Sequence, residues 1–378
     1  MTSFRPGSAN GVHAVASQLG AALAAAGIDV EFWHFRRDRD RVEERDDPSG
    51  VRVVELPFPG VSPSRFGYAR WLPLDTRRFL AKRAERIGLV HYHSVFQPEA
   101  WYLTHLLSKP YVVSPHGGYV HFSQPGWRRI ARLPPWYVLE RQLLRKASLV
   151  HAVSAPDGTA AMALGARGRV AVIPNGVTIP DSPVAALNGE SPWLFVGRLA
   201  IEDKGLDVLV DGYAEAARRT PLPRLVVRGP DYRGGRQWLE ARIASHGLEQ
   251  QIELGDALYG TEKAAMFGAC SLFLHPSRTE GMPVTPLEAM AHARPLAVTP
   301  GTNLAEPVAA AGAGLVIPEP TVSAVAETLR RAAGLGVDEL RAQGARGRVL
   351  VERTYSWEHV AKELAVLYEE CSRSADHV

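Results

Sequence analysis

Glu280 and Glu288 stand eight positions apart in HPSRTEGMPVTPLEAMA, residues 275–291. A strand is predicted to end at His275, a loop to follow, and a helix to begin near Val284. Pro283 suits the start of a helix, where its missing N–H costs nothing. Backbone N–H groups at a helix start attract anions, and carboxylates accept strong hydrogen bonds from hydroxyls. The combination suits a ligand with hydroxyls next to phosphate, such as a nucleotide sugar. Taken alone, the pair also reads as a loop glutamate and a solvated helix glutamate.

A second segment, LFVGRLAIEDKGLDVLV at 194–210, runs a strand into Gly197-Arg198, then a loop holding Lys204-Gly205, then a helix. Two cations six residues apart on one strand-to-helix loop are well placed for a diphosphate. Arginine offers a planar fork and lysine a compact point charge. Both side chains are expected to line an open cleft, so their removal is expected to leave folding little changed. In YVVSPHGGYV, 111–120, His116 follows a strand and precedes two glycines that allow close backbone approach. It can hydrogen-bond a ligand carbonyl or hydroxyl, or be a satisfied loop histidine. Gly11 opens a helix with apolar Val12, Val15, Leu19 and Leu23, and can face an anion. VIPNGV, 172–177, reads as a turn, and His91-x-His93 as a strand end rather than a metal site.

The elements that must carry these loops alternate. Strands are predicted near 28–35, 51–56, 88–92, 110–114, 148–153 and 169–173, and again near 192–197, 223–229, 250–254, 270–275, 294–298 and 313–317. Helices fall between them, including 11–26, 76–86, 135–146, 205–219, 235–246, 261–268 and 284–292. Such alternation gives parallel sheets covered by helices on both faces. The Pro-containing stretch 177–193 reads as a linker between two doubly wound α/β halves. Ligands of such sheets bind beyond the carboxyl ends of the strands.

Composition narrows the class. A chain of 378 residues, 46% hydrophobic and 22% charged, is globular and long enough for two domains. No apolar run reaches the ~20 residues of a spanning helix. Two cysteines, Cys270 and Cys371, exclude a disulfide scaffold and fit a reducing compartment. The start MTSFRPGSANGV has no signal-peptide pattern, so a cytoplasmic location is expected. Net charge is +3 but uneven: residues 1–180 hold 23 Lys+Arg against 14 Asp+Glu. A basic first half suits an anionic partner, or reflects drift in an Arg-rich chain. Basic motifs interleaved with aromatics are absent, so nucleic acid is not expected as a partner.

Together, NGV near the start, SPHG, SLVHAVS, VIPNGV, FVGRL…KGLD, HPSRTEGMPVTPLEAMA and the closing YSWEHVAKELAVLY resemble glycosyltransferase family 4 over nearly the whole chain. The resemblance implies the GT-B fold, two Rossmann-like domains facing across a cleft, and retaining transfer from a nucleotide-diphosphate sugar. It implies an acceptor-side domain over 1–178, a donor-binding domain over 190–356, and a final helix, about 357–378, that returns to the first domain. Arg198 and Lys204 would hold the diphosphate, with Gly197 and Gly229 beside them, and Gly11 would approach the phosphates. Glu288 would bind the ribose. Glu280, with Gly281, Met282, Pro283 and Val284, would hold the donor sugar, which His116 would reach from the first domain. In the family's front-face mechanism the departing phosphate oxygen accepts the acceptor's proton. No Asp-x-Asp is positioned to hold a divalent ion, so Arg198 and Lys204 would replace a metal, and no cofactor is expected.

The acceptor is expected to be a glycan, a lipid-linked saccharide or a small molecule. The stretch 125–146 carries Trp127, Arg128, Arg129, Arg132, Trp136, Arg141, Arg145 and Lys146, which suits an anionic membrane surface or a solvated basic face. Alternatives are a nucleotide-sugar epimerase, which needs additional acid/base carboxylates, and a non-catalytic nucleotide-sugar-binding subunit. One departure from the family is at the start. Only MTSF precedes the first glycine loop, so either translation begins further upstream or the first sheet lacks its first strand. A missing central strand would expose backbone and apolar faces.

Overall fold

The computed structural model describes residues 2–3, 11–36, 39–57, 72–123, 135–181 and 191–375. The chain divides into two compact units, Met1–Gly176 with Trp357–Val378, and Val177–Ser356.

The first unit runs β1 (Thr2–Ser3), α1 (Gly11–Ala25), β2 (Glu31–Arg36), β3 (Glu43–Asp46), β4 (Arg52–Pro57), α2 (Leu74–Ala84), β5 (Val90–His93), α3 (Pro98–Leu107), β6 (Tyr111–Ser114), α4 (Gly118–Ser123), α5 (Pro135–Lys146), β7 (Leu149–Ala152), α6 (Ala155–Leu164) and β8 (Arg169–Val172). Its strands form two four-stranded sheets, β1-β2-β4-β3 and β5-β6-β7-β8. All pairings are parallel except β3 with β4, a short antiparallel strand that the periodicity did not signal. β7 is wholly buried, so it reads as a continuous apolar run, as parallel strands covered on both faces do. β1 pairs with β2 only through Thr2↔His34 and Ser3↔Phe35. A cavity of about 810 Å³ is lined by β2, β5, α1 and the final helix, with Leu19, Leu23, Trp33 and Tyr368 among its walls.

The second unit runs β9 (Trp193–Val196), α7 (Ile201–Lys204), α8 (Leu206–Ala217), β10 (Leu225–Arg228), α9 (Gly235–Ser245), β11 (Ile252–Gly255), α10 (Gly260–Ala269), β12 (Leu272–His275), α11 (Val284–Ala291), β13 (Leu296–Val298), α12 (Ala305–Ala311), β14 (Gly314–Val316), α13 (Val322–Ala333) and α14 (Val337–Thr354). One six-stranded parallel sheet has the order β11-β10-β9-β12-β13-β14. Trp193, Phe195, Leu209, Leu225, Leu272 and Leu274 are buried at its centre. The start of the Pro-containing stretch is tied to this unit, because Val177 N–H donates to Tyr355 O at 2.7 Å and the Arg348 guanidinium donates to Pro180 O at 3.1 Å.

The last helix, α15 (Trp357–Ala375), belongs to the first unit. Trp357 Nε1 donates to Gln18 of α1 at 2.9 Å. A Cβ on Gly176 would lie 2.3 Å from the Trp357 ring, so only glycine lets the chain pass there. Among the described residues no helix is long and apolar enough to cross a membrane.

Candidate active site

In the second unit the strand order reverses between β9 and β12, neighbours in the sheet whose following helices belong to different runs of the chain. Ligands of open α/β sheets bind at such a switch point. The loop after β9 carries Gly197 and Arg198, Lys204 stands at the end of the short α7 where the sequence suggested a loop, and the loop after β12 carries Glu280. Gly205 fastens the two together. Its φ is +64°, and a Cβ there would lie 2.2 Å from Pro276 O. The Arg278 guanidinium grips Asp207 with two bonds of 2.7 Å, and Arg278 N–H donates to Asp203 O at 3.0 Å. From the far side, Asn303 Nδ2 donates to the carbonyls of Glu280 and Gly281 at 2.9 and 2.8 Å.

The result is a shared carboxylate oxygen. Glu280 Oε1 is ion-paired with Lys204 Nζ, accepts from Ser277 Oγ at 2.8 Å, and lies 3.1 Å from His275 Nε2. Burial alone would raise the Glu280 carboxyl. The Lys204 charge and the His275 and Lys204 hydrogen bonds outweigh it and hold the group well below the usual carboxylate range. His275 is fully buried and its pKa is lowered, chiefly by burial. It therefore stays neutral and acts as a hydrogen-bond donor through Nε2. Lys204 is thus not the open-cleft residue its loop position implied: its side chain is 12% exposed and already partnered.

α11 begins at Val284, with Pro283 as N-cap in an extended conformation and no side-chain cap. Among the described residues the N-cap offers no side-chain capping bond, which suits the helix start to an anion. Gly281, Met282 and Pro283 are buried, and Val284 is half-buried. Glu288 lies one turn into α11 and is paired with Lys263 of α10, whose Nζ is 2.8 Å from Oε1 and 2.7 Å from Oε2. The sequence sets Lys263 aside as a cofactor lysine, and nothing in local spacing links it to Glu288.

Arg198 is exposed, and its guanidinium sits 5.1 Å from the centre of the Tyr232 ring, which Arg233 also contacts at 5.1 Å. Gly229 has a structural reason to be glycine: a Cβ would lie 1.7 Å from Gly197 O, where the ends of β9 and β10 close together. The second unit therefore brings Lys204 and Glu280 into contact, and sets Glu288 one helix turn along with a different cation.

Gly11 and His116 lie in the first unit. Gly11 is the first residue of α1, with nothing within 4 Å of where a Cβ would stand. His116 follows β6 with φ +53°. Its loop is held by two buried acids. Asp157 accepts from Gly117 N–H at 3.0 Å, and Glu140 accepts from the Tyr119 hydroxyl and from Phe96 N–H at 2.9 Å. Burial pushes Asp157 up to about 6 and Glu140 up to about 7. His91 and His93 sit on β5, and among the described residues no group of three or more His, Cys, Asp or Glu is arranged for a metal ion. Of the basic stretch 125–146, Trp127, Arg128, Arg129 and Arg132 lie outside the described residues, while Arg141, Arg145 and Lys146 are exposed on α5.

The family described as Glycosyl transferase 4-like domain matches residues 10–176, and Glycosyl transferases group 1 matches residues 184–365. A GDP-mannose:cellobiosyl-diphosphopolyprenol alpha-mannosyltransferase from Xanthomonas campestris is 27% identical over 348 residues, 88% of this chain and 89% of that protein. Sucrose-phosphate synthase from Thermosynechococcus elongatus aligns in structure with a TM-score of 0.72 at 19% identity, covering 97% of this chain and 94% of its own. HepE from Anabaena, solved in complex with UDP and glucose, gives 0.71 at 16% identity and covers 96% of each chain. The structural likeness speaks for the fold, which is GT-B. With one family covering its first half and the other its second, the chain belongs to the group 1 glycosyltransferases of family 4, enzymes that transfer a sugar from a nucleotide-sugar donor.

Proposed function

We propose that this glycosyltransferase moves mannose from GDP-mannose, with retention of configuration and without a metal ion, to a saccharide carried on a diphosphopolyprenol. The observation that supports the site assignment best is the convergence at one switch point of Arg198, the Lys204–Glu280 pair and the uncapped start of α11. The donor and acceptor named are those of the Xanthomonas relative, whose similarity spans both halves of the chain.

In this reading a donor domain over residues 190–356, within the second unit, holds the donor. Arg198, Lys204 and the α11 N–H groups take the diphosphate, with Gly197, Gly229 and, from the first unit, Gly11 close to it. Glu288 binds the ribose hydroxyls. Glu280, with Gly281 to Val284, holds the sugar, and His116 contacts it. The hard step is breaking the bond between the anomeric carbon and the phosphate oxygen. The electron pair leaves with the phosphate, and fixed cations stabilise that charge where it develops. The acceptor hydroxyl attacks from the same face, and its proton passes to the departing phosphate oxygen. The first unit, Met1–Gly176 with Trp357–Val378, carries the acceptor. Exposed Val138, Arg141, Arg145 and Lys146 on α5 support a peripheral position on an anionic, cytoplasmic membrane face.

A thermal-shift screen of UDP-, GDP-, ADP- and dTDP-sugars tests the donor, since a ligand at 100 times its Kd stabilises by about 2.7 kcal/mol. Transfer of labelled mannose to a diphosphopolyprenol-linked disaccharide, with an α product by NMR, is the expected result. A shift with another nucleotide alone would reject GDP-mannose. Co-sedimentation with anionic but not neutral vesicles tests the membrane contact.

A further inference from the structure

Three non-glycine residues with left-handed backbone, Ser94 (φ +85°), Phe96 (φ +52°) and His116 (φ +53°), lie just beyond the adjacent strands β5 and β6. Left-handed non-glycine residues persist only where surrounding structure holds them, and they gather at ligand sites. Glu140 joins the two loops by accepting from Phe96 N–H and from the Tyr119 hydroxyl.

Inside this clamp His93, the last residue of β5, is paired in register with Ser114 and reaches His116 two residues further on. His93 Nδ1 lies 3.0 Å from His116 Nε2, and the rings stack at 5.3 Å and 22°. The other neighbour of His93 is His91, with ring centres 4.1 Å apart. His91 belongs to a chain whose proton positions follow from one end. Ile173 O only accepts, so His151 Nε2 donates to it at 2.9 Å, and His151 Nδ1 accepts from Ser114 Oγ at 2.7 Å. Ser114 Oγ then accepts from His91 Nε2 at 2.6 Å, and His91 Nδ1 accepts from the Tyr368 hydroxyl at 2.5 Å. Each link requires neutral imidazoles, and burial holds His91, His93, His116 and His151 in that form. His93 is therefore packed against a ring fixed in both orientation and tautomer.

We propose that His93 is a positioning residue for glycosyl transfer, its Nδ1 fixing the orientation of His116 and leaving His116 Nδ1 for a hydroxyl of the donor sugar. This rests on the reading of His116 as a sugar contact. A neutral imidazole pair shares one proton across the hydrogen bond, so with Nε2 engaged by His93 the other nitrogen of His116 is turned away from His93 and is the one left to meet a ligand hydroxyl. Without His93 the ring can turn, and the left-handed backbone holds the residue without aiming it.

The test compares H93F, H93N, H93Q, H116A and the double variant H93F/H116A in the full chain, reading kcat and KM for GDP-mannose turnover and the thermal midpoint. Phenylalanine keeps the stacked ring and removes Nδ1. Asparagine places an amide close to where Nδ1 stands, and glutamine carries the same group beyond it. We expect H93F to lower kcat about tenfold, as contacting residues couple, with KM changed less than about twofold. H93N should regain most of the loss and H93Q should not, and H93F should add nothing in the H116A background. H93F at wild-type kcat, or a loss that adds in full to that of H116A, would overturn the proposal. If H93F does not fold, the H93N and H93Q comparison decides, and equal kcat for the two overturns it. H116A at wild-type kcat removes the reading of His116 itself, an outcome distinct from an impaired H116A beside an unimpaired H93F.

Discussion

The ammonium of Lys204 and the carboxylate of Glu280, 76 residues apart in the chain, form one ion pair at the carboxyl edge of the second unit's sheet. The pair ties α7, in the connection after β9, to the loop after β12, so removing either partner acts on both.

Arg198→Ala and Lys204→Ala are both expected to lower turnover by roughly 10²–10³, the range for losing one preorganised transition-state donor. They should differ in stability. Arg198 is exposed, and its loss should leave the thermal midpoint nearly unchanged. Lys204→Ala leaves the half-buried Glu280 carboxylate with only Ser277 and His275 as partners and should cost about 2 kcal/mol, less than the ~3–5 kcal/mol for breaking a fully buried pair. Chemical denaturation of both variants checks this. Equal stability would show that the pair does not hold the loops.

The two glutamates are expected to separate kinetically. Glu288→Ala should chiefly raise KM, because the ribose contact proposed for it would act in ground and transition states alike. Glu280→Ala should chiefly lower kcat, because in the proposed reading it holds the reacting sugar. Steady-state kinetics on the nucleotide sugar decides, and the reverse pattern would exchange their roles.

Stability should fall on acidification from pH 7 to 5. In the first unit His13, His34, His91, His93, His116 and His151 all have lowered pKa values, chiefly through burial, with His116 down to about 3 and His151 to about 4. Unfolded histidines take up protons near pH 6.5, so over this range the unfolded chain binds more protons and gains on the folded one. Glu140 and Asp157 act oppositely, since their raised values let the folded form hold protons that the unfolded carboxylates have lost. The histidines outnumber them, and the thermal midpoint should drop. A midpoint that stays level or rises toward pH 5 would contradict the buried, neutral histidines.

Turnover is expected to persist in excess EDTA, because charge on the leaving diphosphate is assigned to Arg198, Lys204 and the start of α11. Full loss with EDTA, restored by Mg²⁺ or Mn²⁺, would place that role on a metal ion instead.

Local pattern carried the twelve strands that alternate with helices, because a strand buried on both faces must be apolar and a covering helix must be amphipathic. It carried the start of α11 at Val284, which Pro283 announces, and the turn at Gly205, although only the fold reveals that Pro276 O stands where a side chain would be. It missed β3, whose sequence EERD is mostly exposed and has no apolar alternation to read. The pairings within the candidate site were beyond it. Lys204 meets Glu280 because β9 lies beside β12, Lys263 meets Glu288 because α10 packs near α11, and His93 meets His116 through the register of β5 on β6. Residue types and loop positions follow from short-range sterics and hydrophobic period, which one stretch of chain contains. Which charge finds which partner depends on strand order, and strand order is fixed only when distant segments bury their apolar faces together.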